Sequence, residues 1–118
     1  MRRDDVRFGI TADLFVSGLL LVLDQASACF VMAHGAAAGM THPFMAAVVD
    51  GLAERGIATL RYQFLYMEQA LKRPDRPALA HATVRAAVEA AARLAPDLPL
   101  FAGGKSFGGR MTARRQAS

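Results

Sequence analysis

Apolar positions along this chain change period several times, and each change marks an element. Phe15–Leu23 and Cys29–Ala33 are short, mostly apolar runs on either side of the polar break Asp24-Gln25-Ala26-Ser27. Runs of this length bounded by turn residues read as buried strands, here a hairpin or a neighbouring pair. The small-residue stretch His34-Gly35-Ala36-Ala37-Ala38-Gly39-Met40 follows as a loop whose backbone a ligand can approach closely. Thr41 is placed to cap a helix, with Pro43 in the first turn, where its missing N–H costs little. Phe44, Ala47, Val48 and Leu52 recur at near-helical spacing, and Gly56 stands where a C-terminal cap glycine belongs.

The period then returns to that of a strand over Ile57–Tyr62. Gln63–Pro77 reads as a loop carrying Tyr66, Met67 and the cluster Lys72-Arg73-Pro74. Ala78–Ala95 predicts the longest helix, with Leu79, Ala82, Val84, Ala87, Val88, Ala91 and Leu94 available for its inward face. Pro96-Asp97 stops it. Leu100-Phe101-Ala102 is a short strand running into Gly103-Gly104-Lys105-Ser106-Phe107-Gly108-Gly109. Strands alternating with helices at this pace predict an α/β protein built from βαβ units on a mostly parallel sheet. No internal repeat interrupts that reading.

Composition narrows the class. The chain has 118 residues, 53% hydrophobic and 20% charged, enough for at most one domain and too apolar for a disordered segment. Its net charge of +4 is uneven: residues 1–59 carry four basic and six acidic side chains, residues 60–118 ten and four. The later arginines are scattered through alanine-rich helical sequence with few aromatics between them. That is a solvated face, not a nucleic-acid surface. Leu14–Leu23, between Arg2-Arg3 and Ala26-Ser27-Ala28-Cys29, has the outline of a signal peptide. Asp4, Asp5 and Asp13 cancel Arg2, Arg3 and Arg7, so the positive leading region is missing. The run also falls short of the roughly 18–20 apolar residues a bilayer requires, so no membrane contact is expected. A lone cysteine, Cys29, suits a reducing compartment and a cytoplasmic location, and reads as a small core residue. No Cys, His and Asp cluster has zinc spacing, and neither metal nor cofactor is expected. His34 reads as a loop histidine bonded to backbone, His42 as part of a helix entry and His81 as a helix flank.

One motif carries chemistry. Gly104-Lys105-Ser106-Phe107-Gly108 fits G-x-S-x-G directly after a strand. A serine on such a tight strand-to-helix turn is lifted above the sheet edge, and the turn needs small residues two positions to either side. A following helix aims its N-terminal dipole at the hydroxyl. The backbone N–H of Phe107 is then one oxyanion donor, and the loop holding Gly35-Ala36-Ala37 offers a second. The same residues imitate the end of a phosphate-binding loop, G-x-x-x-x-G-K-[ST]. That pattern needs glycine at position 99, where Pro99 stands, and Leu100-Phe101-Ala102 is a strand rather than a phosphate cradle.

Several blocks in order give the sequence a resemblance. His34–Met45, Arg61-Tyr62-Gln63-Phe64, Tyr66-Met67-Glu68, Arg73-Pro74-Asp75, Phe101–Ser106 and Gly108–Met111 are similar to small bacterial α/β-hydrolases of the dienelactone-hydrolase-like branch. The resemblance runs from about Val16 to Met111 and implies a three-layer α/β-hydrolase-like fold. It implies Ser106 as nucleophile, the amides of Phe107 and of Ala36 or Ala37 as oxyanion donors, and a small-molecule ester or acyl substrate. Ala37, Leu65 and Phe107 depart from the glycine, proline and methionine of the family pattern. In this fold an acid and then a histidine follow the serine. Residues 107–118 contain no Asp, Glu or His. The chain is therefore expected to be the N-terminal portion of a single hydrolase domain, residues 1–118, with the C-terminal half missing and little activity alone. The alternative is a non-catalytic interaction module of the same fold, self-associating through the uncovered sheet.

Overall fold

The computed structural model describes residues 1–35 and 39–104. Along them run β1 (Arg2–Gly9), β2 (Phe15–Val22), β3 (Ala28–Ala33), α1 (Pro43–Glu54), β4 (Ile57–Tyr62), α2 (Leu65–Glu68), α3 (Pro77–Leu94) and β5 (Leu100–Gly104). The strands join in one sheet in the order β1-β2-β4-β3-β5. β3 lies parallel to β4 on one side and to β5 on the other, while β2 is antiparallel to both its neighbours. Every strand except β2 therefore points the same way, and helices cover both faces. This is the expected α/β architecture in three layers.

Side-chain alternation along β3 divides the core between those layers. Cys29, Val31 and Ala33 face α3 and pack with Ala58, Leu60 and Tyr62 of β4 against Ala80, Val84, Ala87 and Ala91. Small side chains on α3 let the helix lie close to the sheet. Met32 faces the opposite way and joins Leu21 against Met45 and Val49 of α1, with Phe30, Val48 and Leu52 at the margin. Cys29 is the buried core residue the sequence predicts.

Three expectations need correction. The runs containing β2 and β3 are not a hairpin or adjacent pair, because β4 is inserted between them. Two strand spacings are about 10 Å, a gap that residues 23–27 cross easily. The hairpin partner of β2 is instead β1, a strand hidden in the sequence by its charges: only Val6 and Phe8 turn toward the core, opposite Gly18 and Val16. The cap of α1 is His42, not Thr41, and its Nδ1 accepts the Phe44 N–H at 3.1 Å. Finally, α1 buries Met45 and Val49, with Val48 and Leu52 beside them, and leaves Phe44 and Ala47 exposed. Gly56 does end the helix in the left-handed region, at φ 74°, its N–H bonded to the Ala53 carbonyl.

Candidate active site

Ser106, Phe107, Ala36 and Ala37, the positions expected to carry the chemistry, lie outside the described residues. The frame that leads to them is described on each side. β3 and β5 run side by side and parallel, with Ala33 opposite Gly104. The chain thus leaves both strands at the same carboxyl end, one path entering His34-Gly35 and the other heading for residue 105. Strand order reverses here too: β3 leads through α1 to β4 on one side, and α3 carries the chain from β4 to β5 on the other. In open α/β sheets, ligands bind outside the carboxyl ends of the strands at such a switch point. An apolar groove of about 260 Å³, lined by Phe30, Met32, Ala33, Phe44, Met45, Val48 and Gly104, opens beside this end.

His34 is fully buried and both ring nitrogens are occupied. Nε2 accepts the Phe64 N–H at 3.0 Å, and Nδ1 lies 2.6 Å from the Gly35 carbonyl oxygen. Because the Phe64 amide can only donate, Nε2 must be bare and Nδ1 must carry the proton. Burial lowers the imidazole pKa, and the Gly35 carbonyl only partly opposes it. His34 is thus a neutral histidine tied to backbone, as the sequence predicts, and protonation at Nε2 would cost the Phe64 bond.

The other end of the loop is held from β4. Gln63 Oε1 accepts the Met40 N–H at 3.1 Å, and Arg61 Nη1 donates to the Met40 carbonyl at 3.2 Å. A β-carbon on Gly39 would lie 2.7 Å from Gln63 Oε1 and 3.0 Å from Met67 Cγ, so it would push the Gln63 carboxamide away from its bond to Met40. Burial lowers the Arg61 pKa, with Asp50 opposing.

Within the stretch read as loop, α2 forms a short helical turn after Phe64. Asp75 caps it from a distance, each carboxylate oxygen accepting one amide at 3.0 Å, Oδ2 from Leu65 and Oδ1 from Tyr66. Burial raises the Asp75 pKa, and the two amides partly counter the rise. Leu65 departs from the family's proline, and here its N–H is in use. Tyr66 is buried, and its hydroxyl reaches the Gly35 carbonyl oxygen at 3.4 Å. At the far end, Glu68 accepts both the N–H and the hydroxyl of Ser17, each at 2.9 Å, fastening α2 to β2. Sequence periodicity does not expose these side-chain-to-backbone bonds. Their only trace is the resemblance blocks in which Arg61, Gln63, Tyr66 and Asp75 occur.

A family model described as an alpha/beta hydrolase domain matches residues 26–118. The chain belongs to the alpha/beta hydrolase family. Solved hydrolase structures share its fold. Dienelactone hydrolase from Anabaena variabilis superposes with a TM-score of 0.81 at 20% identity, over 94% of this chain and 55% of that one. An alpha-beta serine hydrolase homologue from Coxiella burnetii gives 0.78 at 15% identity, over 97% and 57%. A Pyrococcus furiosus esterase gives 0.75 at 17%, over 96% and 46%. The family model bears out the α/β-hydrolase family of the resemblance, and the solved structures bear out its fold. The chain spans about half the length of the hydrolases it superposes on. Curated protein sequences yield no significant match.

Among the described residues, no three His, Cys, Asp or Glu side chains converge as metal ligands, and no helix is long and apolar enough to cross a membrane.

Proposed function

We propose that this hydrolase-family chain carries the nucleophile and oxyanion half of a cytoplasmic serine hydrolase acting on small ester or similar acyl bonds. In that reading Ser106 attacks the acyl carbonyl. The backbone amides of Phe107 and of Ala36 or Ala37 receive the negative charge that develops on its oxygen. One observation supports it most: Ala33 and Gly104 are register partners, so the His34–Met40 loop and the G-x-S-x-G segment both depart from adjacent carboxyl ends. Within the 118 residues no Asp, Glu or His follows Ser106. His34 is committed to Phe64 and Gly35. In this reading the activating base is a histidine that follows the serine, so the 118 residues by themselves turn over little substrate.

A fluorophosphonate probe with peptide mapping tests the assignment. Slow labelling is expected at Ser106 in preference to Ser17, Ser27 and Ser118, and it should vanish in Ser106→Ala. Equal labelling of all four serines contradicts the nucleophile assignment. Rapid stoichiometric labelling contradicts the low reactivity.

A second reading, a non-catalytic module that self-associates along the sheet, draws support from Phe101, which is 59% exposed on the last strand of the order. It requires a dimer in sedimentation, and a monomer at all concentrations contradicts it.

A further inference from the structure

The Arg61-Tyr62-Gln63-Phe64 block and Tyr66 belong to no step of the proposed reaction, yet they meet the loop between β3 and α1 at both its ends. At the entrance, the Gly35 carbonyl is approached by His34 Nδ1 at 2.6 Å and by the Tyr66 hydroxyl at 3.4 Å. At the exit, the Met40 amide is bound by Gln63 and its carbonyl by Arg61. The block is itself fixed: Phe64 N–H is bound by His34, Gln63 N–H by the Ser17 carbonyl at 3.0 Å, and the next turn by Asp75. Both flanks of a short, small-residue loop are therefore tied to one rigid strand end by bonds to peptide groups. Bonds to peptide groups set the direction of a backbone, whereas apolar contacts mainly fill space around it.

We infer that Arg61 and Gln63 at the exit, with His34 and Tyr66 at the entrance, are positioning residues: they fix Gly35 and Met40, the two flanks from which the loop between β3 and α1 is hung, before substrate arrives. Donors that need no reorganisation stabilise a developing oxyanion far more than donors that must first be ordered. The inference rests on the hydrolase reading above, and it gives the Arg61–Phe64 block the task of aligning that loop. Gln63 is the decisive member, because its oxygen both accepts the Met40 N–H and sits against Gly39.

The test compares the full chain with Gln63→Met, which keeps bulk but removes the acceptor, and Gln63→Glu, which restores one. Amide exchange by NMR reads the loop, exchange in α3 reports intact folding, and the fluorophosphonate rate at Ser106 reads the site. Gln63→Met should speed Met40 amide exchange at least about tenfold and slow labelling severalfold, with α3 protection unchanged. Gln63→Glu should recover both. Unchanged Met40 exchange in Gln63→Met overturns the clamp. Faster exchange with an unaltered labelling rate overturns the positioning role alone. Absence of labelling in the parent chain overturns the hydrolase reading and the positioning role with it.

Discussion

His34 couples two strand ends through one neutral ring. In His34→Ala the Phe64 N–H loses its acceptor and the Gly35 carbonyl its nearer donor inside the core, a loss of about 2–4 kcal/mol expected in urea denaturation. Its pH dependence has a definite sign. The folded pKa is lowered, so on acidification the unfolded chain takes up the proton first. The contribution is present above the ordinary histidine pKa of about 6.5 and is lost as pH falls below it. Urea midpoints between pH 8 and 5 should therefore drop in the parent and drop less in His34→Gln. Cys29 is fully buried and its thiol is pushed up to about 11. It should resist a thiol-disulfide reagent in the native state and react on unfolding; fast native reaction would contradict its burial. The roles of these two residues were legible because each stands in an unambiguous local context, a loop after a strand and the middle of an apolar run. The cap of α1 was not. Thr41 has the better propensity, but the chain enters the helix so that the imidazole of His42 reaches the Phe44 amide first.

At the scale of elements, α2 depends on a carboxylate nine to ten residues downstream. Asp75→Ala orphans two amides in a half-buried turn, an expected loss of about 1–2 kcal/mol; Asp75→Asn, with one acceptor oxygen, should lose about half of that. Equal midpoints for parent and Asp75→Ala would contradict the capping. On β2, a β-carbon at Gly18 would lie 2.9 Å from the Arg61 carbonyl oxygen and 3.1 Å from Val6 Cγ2. Gly18→Ala should cost about 1–3 kcal/mol through overpacking, read from the same titration. The boundaries of α3 were legible to within one residue because its apolar period is long and its stop, Pro96-Asp97, is unambiguous. β1 and α2 were not. A strand with five charges in Arg2–Gly9 carries almost no alternation, and a four-residue helix is too short to show a period.

The whole molecule is a mixed sheet sheathed on both faces, and it corresponds to about half of the hydrolases it superposes on. Fold class followed from the alternation of strands and helices, while strand order did not, because apolar runs record burial and not neighbours. β2 and β3 look like a pair in sequence and are separated by β4 in space. The account depends on residue 106 emerging beside the loop that follows β3. A nitroxide attached through Lys105→Cys, with Cys29 protected by its burial, measures that placement directly through broadening of backbone amides. Strong broadening is expected at Gly35, Gly39 and Met40, with Ser27 and Leu98, which precede β3 and β5, left sharp. Broadening at Ser27 and Leu98 with Gly35 and Met40 sharp would contradict the shared carboxyl end on which the proposed site is built.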